Sequence, residues 1–430
     1  MTKIKIHQKN LLIVSTVMLS TSVLPAAEID YSVGASITRH SNINLESQPA
    51  PTEYARSLIG MFTLNEETSN LVANIDTLIE ATDYKYDRLE DDVTGRLVGE
   101  ALWIIKPATF EWYVANTYTQ TIIDIFDSAT QDNVENANAF ETGPNYYVRF
   151  SRRNNLAFEA RYRNFDYDER TVDNQRYTGA ARWLYDVNAL TVVGINYEHE
   201  NIDYSDDPTV IDTKRKDMYA TLSYATGNNT LYVDSGKTSY IDDDDKSIEE
   251  DRFSVRLESR RSRTSILRIG AEKELTDTGE ALIDIISDPL NLEEHIASTS
   301  DYYVSKRAYV RYSNELSRSL YDIRVFKSEL DYVNQDILNE HNRGVNFSLI
   351  YRLSRGHTLT FLGEAIEREY VNVTPIREDK DSTYSVQYSH IAGRRIRLNF
   401  ALETEIRESN FIDEDYEDDR IMFSIIYTTR

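Results

Sequence analysis

The segment from Arg395 to Arg407 reads RIRLNFALETEIR, and its apolar and charged residues alternate. An extended strand would place Ile396, Leu398, Phe400 and Leu402 on one face, opposite Arg395, Arg397, Asn399 and Glu403. A helix with 3.6 residues per turn would scatter these charges around all of its sides. Strands of soluble sheets are usually shorter, whereas a tilted strand that crosses a bilayer has about this length. The segment therefore predicts a transmembrane β-strand.

The same period-two pattern recurs along the whole chain in segments of roughly 10 to 14 residues. Short polar turns such as Asp186–Asn188 and Ser354–Gly356 alternate with longer acidic connections such as Val371–Asp381 and Ser409–Asp419. In an outer-membrane barrel the short turns face the periplasm and the long loops face outside. Nine short turns and ten long loops predict an all-β, antiparallel up-and-down barrel of about 20 strands, with 18 as the alternative.

Composition excludes several other classes of protein. The formal net charge of −25 argues against binding to nucleic acid, which requires basic groups. The absence of cysteine excludes disulfides, thiolate metal sites and thiol nucleophiles. The mean hydropathy of −0.52 is typical of a soluble chain, but in a barrel only every second strand residue needs to be apolar. The high tyrosine content, 30 residues, favours a barrel with aromatic girdles.

The amino-terminal residues predict a cleaved secretory signal. A basic start with Lys3, Lys5 and Lys9 precedes a short apolar run from Leu11 to Leu24, and Ala27 is followed by an acidic residue. We expect residues 1–27 to be removed and residues 28–430 to form one barrel domain in the bacterial outer membrane. The alternative is an amino-terminal membrane anchor, although the apolar run is shorter than the 20 or so residues of a spanning helix.

An aromatic–acidic step ends several of the predicted strands and forms a weak repeat with a period of 36 to 38 residues. A propeller blade has a similar period but holds four short strands, whereas each period here holds two long ones. The repeat suggests that its tyrosines lie at the outer membrane interface, with the ring in lipid and the hydroxyl group in water. These tyrosines are Tyr167, Tyr204, Tyr240, Tyr332 and Tyr370. Ordinary strand packing is the alternative for each one.

The connection from Thr278 to Ser300 is the longest. Ala281, Leu282, Ile285 and Ile286 have helical spacing, and Ser287 and Asp288 precede Pro289, which predicts the start of a second helix. An apolar loop of this length either caps the barrel mouth or folds inward, and we expect it to constrict the pore.

No catalytic constellation emerges from the sequence, and the chain is predicted not to be an enzyme. The seven histidines have no zinc-site spacing, and neither a G-x-S-x-G elbow nor a phosphate-binding loop is present. No cofactor or metal is expected. The acidic runs Asp242–Asp245 and Asp413–Asp419 are typical of solvated loops, and their alternative role is to bridge to lipopolysaccharide through divalent cations.

If the apolar face of each strand meets lipid, the opposite face lines the lumen. On this scheme the lumen-lining candidates are Arg161, Arg163, Arg182, Arg256, Arg352, Arg395, Arg397, Glu159, Glu258 and Glu403. Arginine can bind a carboxylate or phosphate through two parallel hydrogen bonds, and rings of charge set selectivity in pores. The alternative is that these groups neutralise one another between neighbouring strands.

The mature chain resembles the β-barrel porin type 2 and exopolysaccharide-operon porin-like family of outer-membrane proteins. The resemblance covers Ile29 to Arg430 and rests on the Ser-Asn-Ile-Asn step at Ser41–Asn44, the aromatic–Asp–Tyr hairpins and the short turns rich in Arg and Asn. It implies a role in moving or retaining secreted polysaccharide, and it supplies no catalytic residues.

Four functions follow as hypotheses. The first is a non-enzymatic barrel that passes or guides an exopolysaccharide across the outer membrane, with periplasmic export partners and with lipopolysaccharide around it. The second is a general or anion-selective porin for the uptake of small solutes. An outer-membrane enzyme and a surface scaffold with a plugged lumen are the others.

Overall fold

The structure, a computed structural model, describes residues 27–47, 52–170, 172–204, 211–242, 246–287 and 299–429. Nearly all of the expected signal segment lies outside the described residues. Asp288 and Pro289, which predicted a second helix start, and Asp243–Asp245 of the first acidic run also lie outside them.

The described chain forms twenty antiparallel strands and one α-helix, α1, at Thr278–Ser287. The strands are β1 Glu28–His40, β2 Glu53–Glu67, β3 Leu71–Tyr84, β4 Asp92–Lys106, β5 Phe110–Ile122, β6 Val134–Arg149, β7 Asn154–Tyr167, β8 Asn174–Asn188, β9 Thr191–Asp203, β10 Thr213–Ala225, β11 Asn229–Asp242, β12 Ser247–Arg260, β13 Ser265–Asp277, β14 Tyr302–Glu315, β15 Ser319–Tyr332, β16 Glu340–Ser354, β17 His357–Tyr370, β18 Arg377–Ala392, β19 Ile396–Ser409 and β20 Tyr416–Thr428. Short 3₁₀ turns lie at Gln131–Asn133 and Asp336–Leu338.

Each strand pairs with its neighbours in sequence, and β1 closes the sheet on β20. The closing ladder pairs Ser32–His40 with Arg420–Thr428 in antiparallel register. Closure leaves no free sheet edge at this seam, which is the condition for a sheet to span lipid. The predicted fold class, an up-and-down barrel with about 20 strands, is confirmed.

The outer face of the barrel carries an exposed apolar belt. On β20, for example, Ile421, Phe423 and Ile425 are 41%, 50% and 45% exposed. A soluble protein rarely exposes a continuous apolar surface of this kind, whereas a lipid bilayer requires one. The closed barrel and its belt make the chain an integral protein of the bacterial outer membrane. Within the described residues, no helix is long and apolar enough to cross a membrane.

All three tryptophans of the chain project into this belt near its short-turn edge. Trp103 and Trp112 are direct cross-strand partners, and Trp183 lies near the end of β8. Tryptophan prefers the boundary between hydrocarbon and headgroups, so this edge marks one membrane interface.

Connections at the two ends of the barrel differ in length. One end has turns of two to four residues, and the other has connections of four to 24 residues. The short end is assigned to the periplasm because outer-membrane barrels share this asymmetry. The limits of individual turns differ from the sequence prediction: Asp186–Asn188, predicted as a turn, is the end of β8, and the turn itself is Ala189 and Leu190. The strands are 13 to 16 residues long because they continue beyond the 9 to 11 or so residues that cross a bilayer.

The β12–β13 pair separates near the long-loop end, which directs α1 into the barrel. The ladder between the two strands ends at Phe253 and Lys273, while β13 continues to Asp277. The carboxylate of Asp277 reaches Arg176 of β8 and Tyr240 of β11. The top of β13 therefore leans across the inner face of its neighbours, and α1 follows directly from it.

Candidate functional site: the lumen and its mouth

Helix α1 crosses the barrel mouth. It starts at the end of β13 and contacts β4, β5 and β6 on the far wall, about eight strands away around the ring. Its Leu282 packs against Ala139, which lies several residues below the top of β6. The helix is therefore inside the mouth, which agrees with the expected constriction and not with a cap above the barrel.

An apolar contact holds the helix to the far wall. Leu282 is 1% exposed and packs against Ala137, Ala139, Phe165 and Tyr167 of β6 and β7. Ala281 is partly buried, and the side chains of Ile285 and Ile286 lie outside the described residues. A buried leucine contributes about 2 kcal/mol through removal of its surface from water.

The amino-terminal end of α1 is fixed by a buried carboxylate. Asp277 Oδ1 accepts hydrogen bonds from the backbone N–H groups of Gly279 and Glu280, at 2.8 and 3.2 Å, as an N-cap does. Arg176 donates both of its terminal nitrogens to the same carboxylate, at 3.0 and 2.7 Å, and the Tyr240 hydroxyl donates at 2.8 Å. A Cβ at Gly279 would lie 2.3 Å from Arg176 Nη2, so glycine allows this close approach.

Below the cap lies a network of ion pairs, termed here the mouth network. It consists of five arginines and five carboxylates, namely Arg161, Arg163, Arg176, Arg215, Arg252, Glu141, Glu200, Asp217, Asp277 and Glu280. Most members are strongly buried: Arg176 is 1% exposed, Glu200 2% and Asp217 2%. Buried charges are stable only when they are paired and hydrogen-bonded, which this network achieves with equal numbers of each sign.

The connection between β5 and β6 crosses the mouth in another direction. The backbone carbonyl of Ile125 accepts a hydrogen bond of 3.0 Å from the hydroxyl of Tyr370 at the end of β17. Phe126 packs on the same ring, with 5.1 Å between ring centroids, and the guanidinium group of Arg377 lies 6.0 Å from the Phe126 ring. Two connections therefore narrow the long-loop end of the lumen.

The structure places the predicted lumen candidates in four environments: the mouth network, ion pairs outside it, exposed positions without an ion pair in the described chain, and the outer rim. Arg161 and Arg163 belong to the mouth network, and Arg161 also donates to the carbonyls of Pro144 and Ala160. Arg182 lies deeper, where it donates to Glu159 at 3.0 Å and to the Tyr219 hydroxyl at 2.6 Å.

Two further acidic candidates are paired with arginines. Glu258 accepts from Arg268 at 3.0 Å, and Glu403 accepts from Arg420 at 2.9 Å. These pairs join adjacent strands, and they are the mutual neutralisation that was the alternative interpretation of the inner face.

Three arginine candidates have no carboxylate of the described chain within ion-pair distance. Arg256 is exposed and lies over the ring of Tyr232, with its guanidinium carbon 5.9 Å from the centroid. Arg397 is exposed on β19, opposite in direction to the apolar Leu398 and Phe400. Arg352 is exposed near the short-turn end of β16.

Arg395 does not line the lumen. It lies in the turn before β19, and its Nη1 donates at 2.9 Å to the hydroxyl of Tyr427. Tyr427 belongs to the outer apolar belt, so Arg395 is directed to the outer rim. The prediction failed because alternation was extended one residue beyond the start of the strand.

The five repeated tyrosines do not lie at the lipid interface either. Their exposures are only 7%, 6%, 1%, 5% and 1% for Tyr167, Tyr204, Tyr240, Tyr332 and Tyr370. Each packs within the mouth, against the mouth network or in a cluster with neighbouring apolar side chains. In a step such as Phe165-Asp166-Tyr167, alternation turns the aromatic residues inward and the acid outward. The repeat therefore lines the mouth with aromatic rings.

Sequence reasoning named only Arg161 and Arg163 among the ten members of the mouth network and missed the other eight, including Arg176, Arg215, Asp277 and Glu280. Arg176 and Arg215 lie near the beginnings of their strands, on the inner face, and strand alternation could have identified both. Glu280 and Asp277 gave no such signal because their roles depend on the inward lean of β13.

His40 and Ser41 both contact Asp418, which joins β1 to β20. His40 Nδ1 lies 3.0 Å from Asp418 Oδ2, and Ser41 Oγ lies 3.4 Å from Oδ1. The serine is directed at the carboxylate and not at the imidazole, so the group closes the barrel and is not arranged as a nucleophile with its base. Within the described residues, no group of three or more His, Asp or Glu is placed to hold a metal ion.

No family model and no curated protein matches the chain. Solved structures do match across its length. The siderophore receptor PirA from Pseudomonas aeruginosa is 10% identical, with a TM-score of 0.46 over 94% of this chain and 80% of that one. OccK2 (OpdF) of the same organism is 8% identical, with a TM-score of 0.38 over 94% and 98%. A BenF-like porin from Pseudomonas fluorescens Pf-5 is 9% identical, with a TM-score of 0.38 over 94% and 99%. These scores are too low to bear on function, and it is the geometry of the chain itself that makes it a closed, twenty-stranded outer-membrane β-barrel.

Proposed function

We propose that the barrel is a channel for small anionic solutes, and that the exposed arginines below the mouth network select for them. The observation that carries the proposal is Arg256, which is exposed on the inner face, stacks over Tyr232, and has no carboxylate of the described chain in ion-pair distance. A guanidinium group in this state can bind a passing carboxylate or phosphate.

Most other charges of the inner face are held in ion pairs. The mouth network has equal numbers of arginines and carboxylates, whereas Arg182 is shared by two carboxylates and Arg420 by three. Binding of a solute anion therefore falls to arginines such as Arg256 and Arg397, which are exposed and have no carboxylate of the described chain within ion-pair distance.

The passage of an exopolysaccharide, the first hypothesis from sequence, gains no support from the site. α1 and the β5–β6 connection both cross the mouth, and α1 is anchored on two walls. A polymer chain would have to stay threaded past both connections along its whole length, whereas a small solute passes each of them once. Small-solute passage is therefore the function that this geometry supports best.

The test is the ion selectivity of the purified barrel in a planar lipid bilayer. In a potassium chloride gradient we expect a reversal potential that favours chloride. The double variant Arg256→Gln/Arg397→Gln should lower the chloride preference by about two- to threefold, because lumen charge sets the local counter-ion concentration. Each of the two single variants is compared with the matched control Arg395→Gln, which removes one positive charge from the outer rim. Cation selectivity in the parent, or an equal effect of the control, would reject the proposal.

A further inference from the structure

We infer that the arginines of the mouth network form a carboxylate-binding site, that Glu280 of α1 occupies it as an internal ligand, and that a carboxylate solute takes the place of Glu280 and releases the helix. This inference rests on the proposed function and deepens it, because it names the solute class and the place where the solute first binds.

Glu280 lies among three arginines of the barrel wall. Its Oε1 lies 2.6 Å from Arg163 Nη1 and 3.5 Å from Arg176 Nη1, and its Oε2 lies 3.6 Å from Arg215 Nη1. Three guanidinium groups from β7, β8 and β10 therefore converge on one carboxylate. This arrangement suits a free carboxylate as well as it suits the side chain, because arginine recognises the group and not the chain that carries it.

Among the carboxylates of the mouth network, Glu280 is the one that a solute can replace. Glu141, Glu200, Asp217 and Asp277 all belong to strands, whereas Glu280 belongs to a connection. Glu280 is also the most accessible, since its side chain is 17% exposed, compared with 2% for Glu200 and 3% for Asp277.

The charges of the mouth network are balanced. With Glu280 in place the network holds five positive and five negative groups. Removal of Glu280 alone would leave five arginines with four carboxylates, and this excess of one buried positive charge is unfavourable in a poorly solvated site. Entry of a solute carboxylate restores the balance. The network therefore favours exchange over simple opening.

Replacement of Glu280 by a solute affects the pore because Glu280 belongs to α1, which crosses the mouth. Near its beginning α1 is held by the Asp277 cap, and beyond Glu280 the described contact with the far wall is made by Leu282 and its neighbours. When Glu280 leaves the arginines, the helix keeps its cap but loses its ionic contact with β7, β8 and β10. The apolar contact of Leu282 then holds the helix in the mouth with less support, so the helix leaves the mouth more often and the lumen widens for the solute that displaced Glu280.

The experiment is single-channel recording of the full barrel in constant potassium chloride, with potassium gluconate added as the carboxylate probe. We expect gluconate to increase the fraction of time in the high-conductance state of the parent protein, whereas the same concentration of extra potassium chloride should not. Glu280→Gln should occupy the high-conductance state without gluconate and should lose the gluconate response. The matched control Glu367→Gln removes an ion-paired glutamate from the outer face and should respond as the parent does.

A second variant keeps the test decisive if Glu280→Gln fails to fold. Because the chain contains no cysteine, Ile283→Cys with Ala139→Cys places the two thiols of the variant at the apolar cluster between α1 and β6, where their disulfide would tether the helix while Leu282 keeps its contact. The oxidised form should stay in the low-conductance state with gluconate, and a reductant should restore the response. Equal gluconate responses in oxidised and reduced forms, or none in the parent, would overturn the inference. Chloride selectivity that persists in such a result would leave the proposed function intact, whereas cation selectivity would remove both.

Discussion

At the scale of the single residue, Arg161 shows what strand alternation can and cannot predict. Alternation assigned it to the inner face, and the structure places it there, in contact with Glu141. Its main contacts arise from a local irregularity. The β6–β7 ladder skips Gly143 and Pro144, and Arg161 Nη1 donates to the carbonyl of Pro144 at 3.1 Å. Proline lacks an N–H group, so the arginine bridges a gap in the sheet.

Substitution of Arg161 by glutamine should therefore destabilise the barrel. The change removes the hydrogen bonds to Pro144 and Asn145 and leaves Glu141 with one arginine fewer, for an expected loss of about 1–3 kcal/mol in the free energy of unfolding. Urea unfolding in lipid vesicles, followed by tryptophan fluorescence, measures it. Arg397→Gln is the control, expected to stay within about 0.5 kcal/mol because its side chain is exposed. Equal stability of the two variants would contradict the bridging role.

The buried tyrosines illustrate the limit of residue-level prediction. Aromatic residues at strand ends favour a membrane interface on average. Whether such a residue points to lipid or to the lumen depends on alternation, because residues two apart in a strand share a face. Tyr240 has the same parity as the inward Thr238, and its hydroxyl donates to Asp277 of β13. That contact joins β11 to the end of β13, and no local pattern contains it.

At the scale of the element, α1 was predictable in type and not in position. Ala281 and Ile285 are four residues apart, as are Leu282 and Ile286, and this spacing indicated a helix because apolar residues three or four apart share a face. Its place across the mouth depends on the separation of β12 from β13 at Phe253. The early end of the β12–β13 ladder does not change the alternation of apolar and polar residues in either strand. The sequence therefore could not predict the direction of the helix.

Shortening of Leu282 should free the helix without weakening the barrel. Leu282→Ala removes most of the buried contact with β6 and β7, which typically costs about 2–5 kcal/mol. The cost falls on docking of α1, because the strand ladders do not involve Leu282. We expect a higher single-channel conductance and an unchanged urea midpoint. Leu282→Met, which conserves volume, should behave as the parent, and a fall in the urea midpoint of Leu282→Ala would show that α1 instead supports the barrel.

The β5–β6 connection should act independently of α1. Phe126 packs on Tyr370, and none of the described contacts of this cluster includes a residue of α1. The two connections contact different strands, so each covers its own part of the mouth and the areas that they free should add. Phe126→Ala should therefore raise the conductance, and combined with Leu282→Ala it should give the sum of the two increments. Saturation at the value of either single variant would show that one crossing alone limits the pore.

At the scale of the whole molecule, the fold was predictable because a barrel repeats one simple rule. Alternation and the short-then-long order of connections indicate strand number, and each strand pairs with its sequence neighbour. Among the strands that the structure describes, the one pairing that does not join sequence neighbours is the closure of β1 on β20, which joins Ser32–His40 to Arg420–Thr428.

Closure at the long-loop end depends on Asp418, whose loss should weaken the entire barrel. Its carboxylate accepts from Arg420 Nε at 2.7 Å and from the backbone N–H of Asn42 at 2.8 Å, and it lies 3.0 Å from His40 Nδ1. Asp418→Asn keeps the shape but removes the charge that these donors share. Hydrogen bonds to charged groups contribute about 1.5–3 kcal/mol, so we expect a loss of that order in the free energy of unfolding.

The neighbouring residue provides the control for this prediction. Asp419 lies on the outer face and accepts one hydrogen bond of 2.7 Å from Thr404 in an exposed setting. Asp419→Asn should change the stability by less than about 0.5 kcal/mol. Because opening at β1–β20 exposes both edges of the sheet, Asp418→Asn should also unfold faster, with little change in the dependence of the free energy on urea. If the two asparagine variants unfold at the same urea concentration, the backbone hydrogen bonds between β1 and β20 alone hold the seam. The contacts of Asp418 would then serve only to order the residues that follow β1.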